Sequence, residues 1–355
     1  MRTQILISFL LLCLAVSPAS TAQAPRVDNA KFETASAAAG LEAAVRQAGA
    51  RGQEPVWVAW SVPMVAGQRY NCCWSHSGDF KDMKRTACHL EGKSQSWGST
   101  NDEKVPPDQD LLVLVRLEEG KIGRILSFSS TCPIDADGRR FVQLGDVKPE
   151  ESVALLAKTA EQGRTVSRNL PEEALAALSF HRNARADEVL EDMASAPRPE
   201  KVREQALFWL GQNRGERGAR FLSRVITTDP EAEIRKKGIF SLSQSKAPGV
   251  ADPIIRVSRE DRSADVRGEA LFWLAQMNDP KAPDTILQAI DKDPEREVRK
   301  KGVFALTQLK GGGVPLLIQL GRQTRDREIR KEALFWLTQS KDPAALRYID
   351  KVLND

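Results

Sequence analysis

The sequence predicts an α-solenoid, an α/α superhelix of stacked helical hairpins, over residues 149–355, preceded by a small disulfide-containing α+β domain over residues 25–148. Three observations carry this reading. One segment recurs every 32 residues, each copy has the apolar spacing of a buried helix, and strand-like runs and cysteines are confined to the N-terminal third.

Five copies align without gaps: Val202-REQALFWLGQ, Ile234-RKKGIFSLSQ, Val266-RGEALFWLAQ, Val298-RKKGVFALTQ and Ile329-RKEALFWLTQ. Their first residues lie 32, 32, 32 and 31 apart, and a weaker copy starts 32 residues upstream at Leu170. A divergent outer copy is expected, because a terminal repeat has a neighbour on one side only. In each copy a branched apolar residue, a small residue four later and a leucine eight later share one helical face. A shorter apolar segment precedes each copy: Val153 to Ala160, Val189 to Met193, Phe221 to Ile226, Ile254 to Val257, Ile286 to Ile290 and Leu316 to Leu320. Each unit is therefore a helical hairpin, six in all, and Ala344 to Leu353 closes the chain as a single helix. Asp229-Pro230 and Asp293-Pro294 read as N-caps followed by a proline in the first helical position.

A hairpin of this length, with Asp before the second helix and a branched residue followed by Arg inside it, resembles the HEAT-repeat family, in particular the short phycobilisome-lyase-type HEAT-like repeats. The resemblance rests on Asp229 with Ile234-Arg235, Asp261 with Val266-Arg267, and Asp293 with Val298-Arg299, and covers roughly residues 150–355. It implies a hydrogen-bonded ladder of these Asp and Arg residues between units, and second helices that line a concave surface. Pro197 replaces the Asp of the Val202 unit and the loop before Ile329 is one residue short, so the ladder is expected to break at both places. A repeat fold of this kind implies no particular activity.

A second period of 64 residues lies over the first: Trp209, Ser241, Trp273, Ala305 and Trp336 alternate large and small at one position. Interdigitating layers explain that better than a cofactor box of three tryptophans. Gln205, Lys237, Glu269, Lys301 and Glu332 alternate at an exposed position, which reads as a register-fixing charge ladder and not as a polyanion stripe of one sign. With Val202 at zero and about 100° per residue, Phe208 falls near 240°, on the polar side. Phe nevertheless recurs there as Phe208, Phe240, Phe272, Phe304 and Phe335, with Gln one turn on as Gln212, Gln244, Gln276, Gln308 and Gln339. These ten residues are the candidate binding face. The competing expectation is that each Phe merely leans on the neighbouring unit.

In the N-terminal third, alanine-rich Val27 to Ala50 reads as one amphipathic helix. Val56 to Val62 reads as a strand, Leu111 to Leu117 and Ile122 to Phe128 as a hairpin, and Phe141 to Leu144 as a further short strand. Cys72, Cys73, Cys88 and Cys132 are expected to form two disulfides, with neighbouring Cys72 and Cys73 each joined to Cys88 or Cys132. Reading Cys72, Cys73, His76, Cys88 and His89 as metal ligands matches no zinc or haem spacing, so no metal and no cofactor is expected.

Residues 1–24 combine Arg2, an apolar run from Ile5 to Val16 and Ala22-Gln23-Ala24, the pattern of a cleavable signal peptide. The product is expected to be exported to the periplasm or the extracellular medium, with no membrane span after cleavage. Its net charge of +4, or +3 without Arg2, gives no footprint for nucleic acid. Deoxyhypusine hydroxylases among HEAT proteins use His-Glu pairs, whereas His76, His89 and His181 here precede Ser, Leu and Arg. With no catalytic constellation found, the chain is expected to be a non-enzymatic scaffold for a protein or peptide partner. The alternatives are an enzyme or sensor centred on the N-terminal domain, and a structural spacer.

Overall fold

The computed structural model describes residues 25–51, 54–66, 72–75, 84–92, 96–98, 109–162 and 169–354. The expected signal peptide and His76 lie outside the described residues. A five-stranded sheet has the order β2 (Lys31–Ser36), β11 (Arg140–Gly145), β3 (Val56–Pro63), β8 (Asp110–Glu118), β9 (Lys121–Ser129). β11 is parallel to both β2 and β3, while β3, β8 and β9 are antiparallel. The expected strands are therefore present, and Phe141 to Leu144 sits inside the sheet.

Alternation along β3 decides what each sheet face meets. Val56, Val58, Trp60 and Val62 pack with Val113, Val115 and Val142 on one face, toward helices α1 (Leu41–Ala50), α2 (Pro149–Gln162) and α3 (Leu170–Phe180). Trp57 and Ala59 pack with Leu112, Leu114, Phe128 and Phe141 on the other, against the disulfide lobe. Burial on both faces explains why these strands read as nearly continuous apolar runs. The lobe contains β1 (Val27–Asp28), β6 (Cys88–His89) and β10 (Ile134–Asp135), joined in parallel, and β4 (Cys72–Ser75) between β5 (Lys84–Thr86) and β7 (Ser96–Gly98). Cys72 pairs with Cys132 and Cys73 with Cys88, the two-bridge arrangement expected.

The single helix expected over Val27 to Ala50 is corrected. Its first part forms β1 and β2, because Lys31 to Ser36 completes a parallel ladder on β11, and a helix begins only after Gly40 at φ +113°. Helix propensity is a weak prior beside such pairing.

The rest is helical hairpins. Their first helices are α2, α4 (Ala184–Met193), α6 (Gly215–Thr228), α8 (Ala251–Glu260), α10 (Ala282–Lys292) and α12 (Gly313–Gln323). Their second helices are α3, α5 (Glu200–Asn213), α7 (Ala232–Ser243), α9 (Ala264–Gln276), α11 (Arg296–Thr307) and α13 (Arg327–Gln339), and α14 (Pro343–Asn354) closes the stack. Among the described residues these form six helix pairs and a terminal helix. Successive second helices pack more extensively than successive first helices.

The caps differ from expectation. Asp229 and Asp293 end the preceding first helix, and each carboxylate accepts the N–H two residues on, from Glu231 at 3.0 Å and Glu295 at 2.9 Å. The second helices start after Glu231 and Glu295. The aspartates are pulled away from capping by the ladder. Arg235 binds Asp261 through 2.7 and 2.8 Å bonds and Arg267 binds Asp293 through 2.7 and 2.9 Å bonds, each Arg also donating to the carbonyl of its own unit's Asp. Arg203 reaches Asp229 by one bond only, its other nitrogens donating to Glu231 and to the Ala194 carbonyl. Beyond Pro197 no such rung forms, because the matching Arg position in the Leu170 unit is Pro171. At the short loop Thr324 stands where the ladder has Asp, so that rung is lost, and Arg299 instead lies 3.5 Å from the capping residue Asp326.

The 64-residue period also has a packing cause. A Cβ on Gly238 or Gly302 would lie 2.8 Å from Ile226 Cγ2 or 2.7 Å from Ile290 Cγ1, so these hairpins close more tightly than those with Ala206 or Ala270 at that position.

Candidate functional site: an aromatic ladder on the second helices

Nine rings form a continuous series along the second helices: Phe180, Trp209, Phe208, Phe240, Trp273, Phe272, Phe304, Trp336 and Phe335. Phe208 stacks on Phe240 and Phe272 on Phe304, at 6.2 and 5.9 Å between centroids with planes within 16° and 4°. Each Phe of a tryptophan-bearing unit meets its own Trp edge-on at about 5 Å. Trp273 and Trp336 lean back to Phe240 and Phe304 at 4.8 and 4.9 Å, over units whose matching residues, Ser241 and Ala305, are buried. Parallel-offset and edge-on pairs at these separations are the favoured ring geometries.

Phe208, Phe240, Phe272 and Phe304 are half-buried, and Phe335 is 52% exposed. Each of the first four thus leans on a neighbour and keeps a minor part of its surface open. Gln212, Gln244, Gln276 and Gln339 are exposed and Gln308 is half-buried. The Gln276 amide donates to Gln308 at 2.9 Å, so amides of adjacent units come within hydrogen-bonding distance. At the C-terminal end a cleft of about 480 Å³, bordered by Gly311, Gly313, Trp336, Gln308 and Gln339, opens beside the series.

The charged residues beside the rings are differently partnered from the expected ladder. Lys237 and Lys301 bond Glu204 and Asp265 of the preceding unit at 2.8 and 2.9 Å, and the Lys301 bond holds the Asp265 carboxyl below the usual range. Glu269 and Glu332 instead accept the indole N–H of Trp273 and Trp336 one turn on, at 2.7 and 2.9 Å. Gln205 stands at that position in the first such unit, and the buried Nε1 of Trp209 has no hydrogen-bond partner among the described residues. The tryptophans, expected as pure packing residues, are half-buried members of the series. Phe180 was not foreseen, because it falls at the Gln position of the divergent first copy.

Two further groupings were not legible in sequence. A buried chain joins the sheet to the array: Trp60 Nε1 donates to Ser152 Oγ at 2.8 Å, Ser152 faces His181 Nε2 at 2.8 Å, and His181 Nδ1 faces the Ala177 carbonyl at 2.8 Å. The carbonyl can only accept, so Nδ1 carries the proton and Ser152 donates to Nε2. Burial pushes the His181 pKa down to about 4, so the ring is neutral near pH 7. Among the described residues, His89, Asp135 and Asp137 bring possible ligand atoms within 4.8 Å of one another. His89 Nδ1 is 3.0 Å from Asp137, and Asn29 and the Glu91 N–H occupy other carboxylate oxygens, so hydrogen bonding within the lobe accounts for the group. The four cysteines are disulfide-bonded and cannot ligate metal as thiolates.

Residues 266–292, most of α9 and α10 with their connection, match the family described as PBS lyase HEAT-like repeat. This chain carries HEAT-like repeats. No curated relative matches it in sequence. Among solved structures it resembles human deoxyhypusine hydroxylase in complex with glycerol, at 16% identity over 57% of this chain and 76% of that one, with a TM-score of 0.29. It also resembles the complex of CpcE and CpcF of phycocyanin lyase from Nostoc sp., at 18% identity over 54% and 77%, with a TM-score of 0.30. Both names are names of enzymes, which corrects the expectation that this chain is not one: HEAT-like arrays occur in catalysts, and an unrecognised catalytic set gives no ground for excluding catalysis. At these TM-scores no activity carries across.

Proposed function

We propose that the HEAT-like array binds a protein or peptide partner along the face of its second helices, with Phe208, Phe240, Phe272, Phe304 and Phe335 as apolar contacts and Gln212, Gln244, Gln276, Gln308 and Gln339 as polar ones. The observation that carries the reading is the unbroken, partly exposed series of nine rings, flanked by one amide in each of five units. Aromatic groups dominate interface energetics because they bury much area at little conformational cost. Nucleic acid is disfavoured, since the cations beside the rings are paired with carboxylates. The two disulfides suit an oxidising compartment, and among the described residues no helix is long and apolar enough to cross a membrane. The disulfides and the signal-like N-terminus support a role outside the cytoplasm, in the periplasm or the extracellular medium.

A photo-crosslinking residue at Gln276 of the exported chain tests this. A discrete protein adduct that disappears when Phe272→Ser is added supports the reading. Absence of adducts from Gln212, Gln244, Gln276 and Gln308 alike overturns it.

A further inference from the structure

We infer that β2 is an interface between two copies of this chain, pairing antiparallel with its own equivalent across a two-fold axis at Thr34; this goes beyond the partner-binding reading and does not depend on it. The first argument is the open edge. All six residues of β2 are exposed, and Phe32 keeps 47% of its surface although it stacks on Phe141 at 5.7 Å. Lys31 donates its N–H to Arg139 and Ala37 to Gly145, so by alternation Lys31, Glu33 and Ala35 turn their backbone groups to β11. Phe32, Thr34 and Ser36 turn theirs outward, where no described strand pairs with them. The other edge of the sheet is handled differently: α3 packs on β9, and Glu173 accepts the Ile125 N–H at 2.7 Å. A row of unpaired N–H and C=O groups is matched by another extended strand.

The second argument is that β2 complements itself. Antiparallel pairing about Thr34 sets Phe32 against Ser36 of the second copy, Glu33 against its Ala35, and Thr34 against its Thr34. Each bulky side chain then meets a small one on the same face, and the central Thr pair is a favourable cross-strand contact. All three outward-turned residues fall at hydrogen-bonded positions. Moving the axis to Phe32 or Ser36 leaves only one of them paired within the strand, and an axis at Glu33 sets two carboxylates against each other. The third argument is charge. In the Thr34 register no like charges stand directly opposite, and Glu33 is held over β11 by Arg140 through bonds of 2.7 and 2.9 Å. The acidic group of the strand is thus neutralised within its own copy.

Sedimentation equilibrium of the exported, disulfide-bonded chain tests the inference, and the expected result is reversible association into a dimer as concentration rises. Cysteine substitution then reads the register. In a hydrogen-bonded antiparallel pair the Cα atoms lie about 5.5 Å apart, within disulfide reach. Thr34→Cys should therefore oxidise to a linked dimer. Ser36→Cys, whose two thiols would stand at opposite ends of the paired segment, should link about tenfold more slowly or not at all. Thr34→Lys sets two cations directly opposite each other and should weaken association about fivefold without lowering the melting temperature. Thr34→Pro removes an outward N–H and no bond to β11, and should weaken association by about as much or more. A chain that stays monomeric at its highest soluble concentration, a dimer that Thr34→Lys leaves unchanged, or equal linking through Thr34→Cys and Ser36→Cys overturns the inference. The Gln276 cross-link lies on the second helices, so the partner-binding reading stands or falls separately.

Discussion

Arg235 and Asp261 belong to neighbouring repeats, and their side chains, 2% and 5% exposed, meet through two hydrogen bonds of 2.7 and 2.8 Å. The same guanidinium donates to the Asp229 carbonyl of its own unit at 2.9 Å, so one residue joins the loop of its hairpin to that of the next. Three interactions on a planar donor fork leave little freedom for the units to slide.

Asp261→Ala should destabilise the array by about 3–5 kcal/mol, the cost of leaving a buried Arg without its charge partner. Asp326→Ala should cost much less in ion pairing, since Arg299 lies 3.5 Å away and both side chains are partly exposed, and its main loss is the cap on the Glu328 and Ile329 N–H groups. Urea unfolding of the two variants checks the contrast. Burial raises the Asp261 and Asp293 carboxyls, but hydrogen bonds from Arg235 and Arg267 outweigh it and hold both below the ordinary value. Their contribution is therefore present above the unfolded pKa and is lost as pH falls through the folded one.

His181 adds a second acid response. Its folded pKa of about 4 lies below the ordinary 6.5, so the unfolded chain takes up the proton first as pH falls. Stability from this group is complete above about pH 6.5 and declines until about pH 4, by about 3 kcal/mol in all. His181→Gln, which does not titrate, should flatten the stability profile between those limits whatever its effect on stability at pH 7. An unchanged slope would mean that the ring is not buried neutral.

Two mid-helix glycines should respond oppositely to alanine. A Cβ on Gly211 would overlap the Ser241 backbone carbonyl of the adjacent helix, so Gly211→Ala is expected to lose about 1–3 kcal/mol through overpacking. A Cβ on Gly268 meets the movable Lys301 side chain, so Gly268→Ala should be neutral or gain up to about 1 kcal/mol from helix propensity. Thermal unfolding distinguishes the two.

Alkylation without reductant should label none of Cys72, Cys73, Cys88 and Cys132. Peptide mapping should recover the bridges Cys72–Cys132 and Cys73–Cys88. Recovery of Cys72–Cys88 instead would mean a different strand order in the lobe.

The repeat half was legible in sequence because hairpins are local: the 32-residue spacing, the stripe through Val202, Ala206 and Leu210, and the recurring Asp and Arg together determine six hairpins and the partners of the ladder. The sequence by itself also determined that Phe208 and its equivalents stand on the polar side of their helices. Only the tertiary structure decided what those rings do there, because helical angle describes one helix, whereas ring exposure depends on the unit beside it. It likewise decided that Lys31 to Ser36 is a strand, through pairing with a segment more than 100 residues away, and that Trp60, Ser152 and His181 form one buried chain. Local pattern determines elements; contacts between distant segments determine strands such as β2, buried polar chains and the open surface available to a partner.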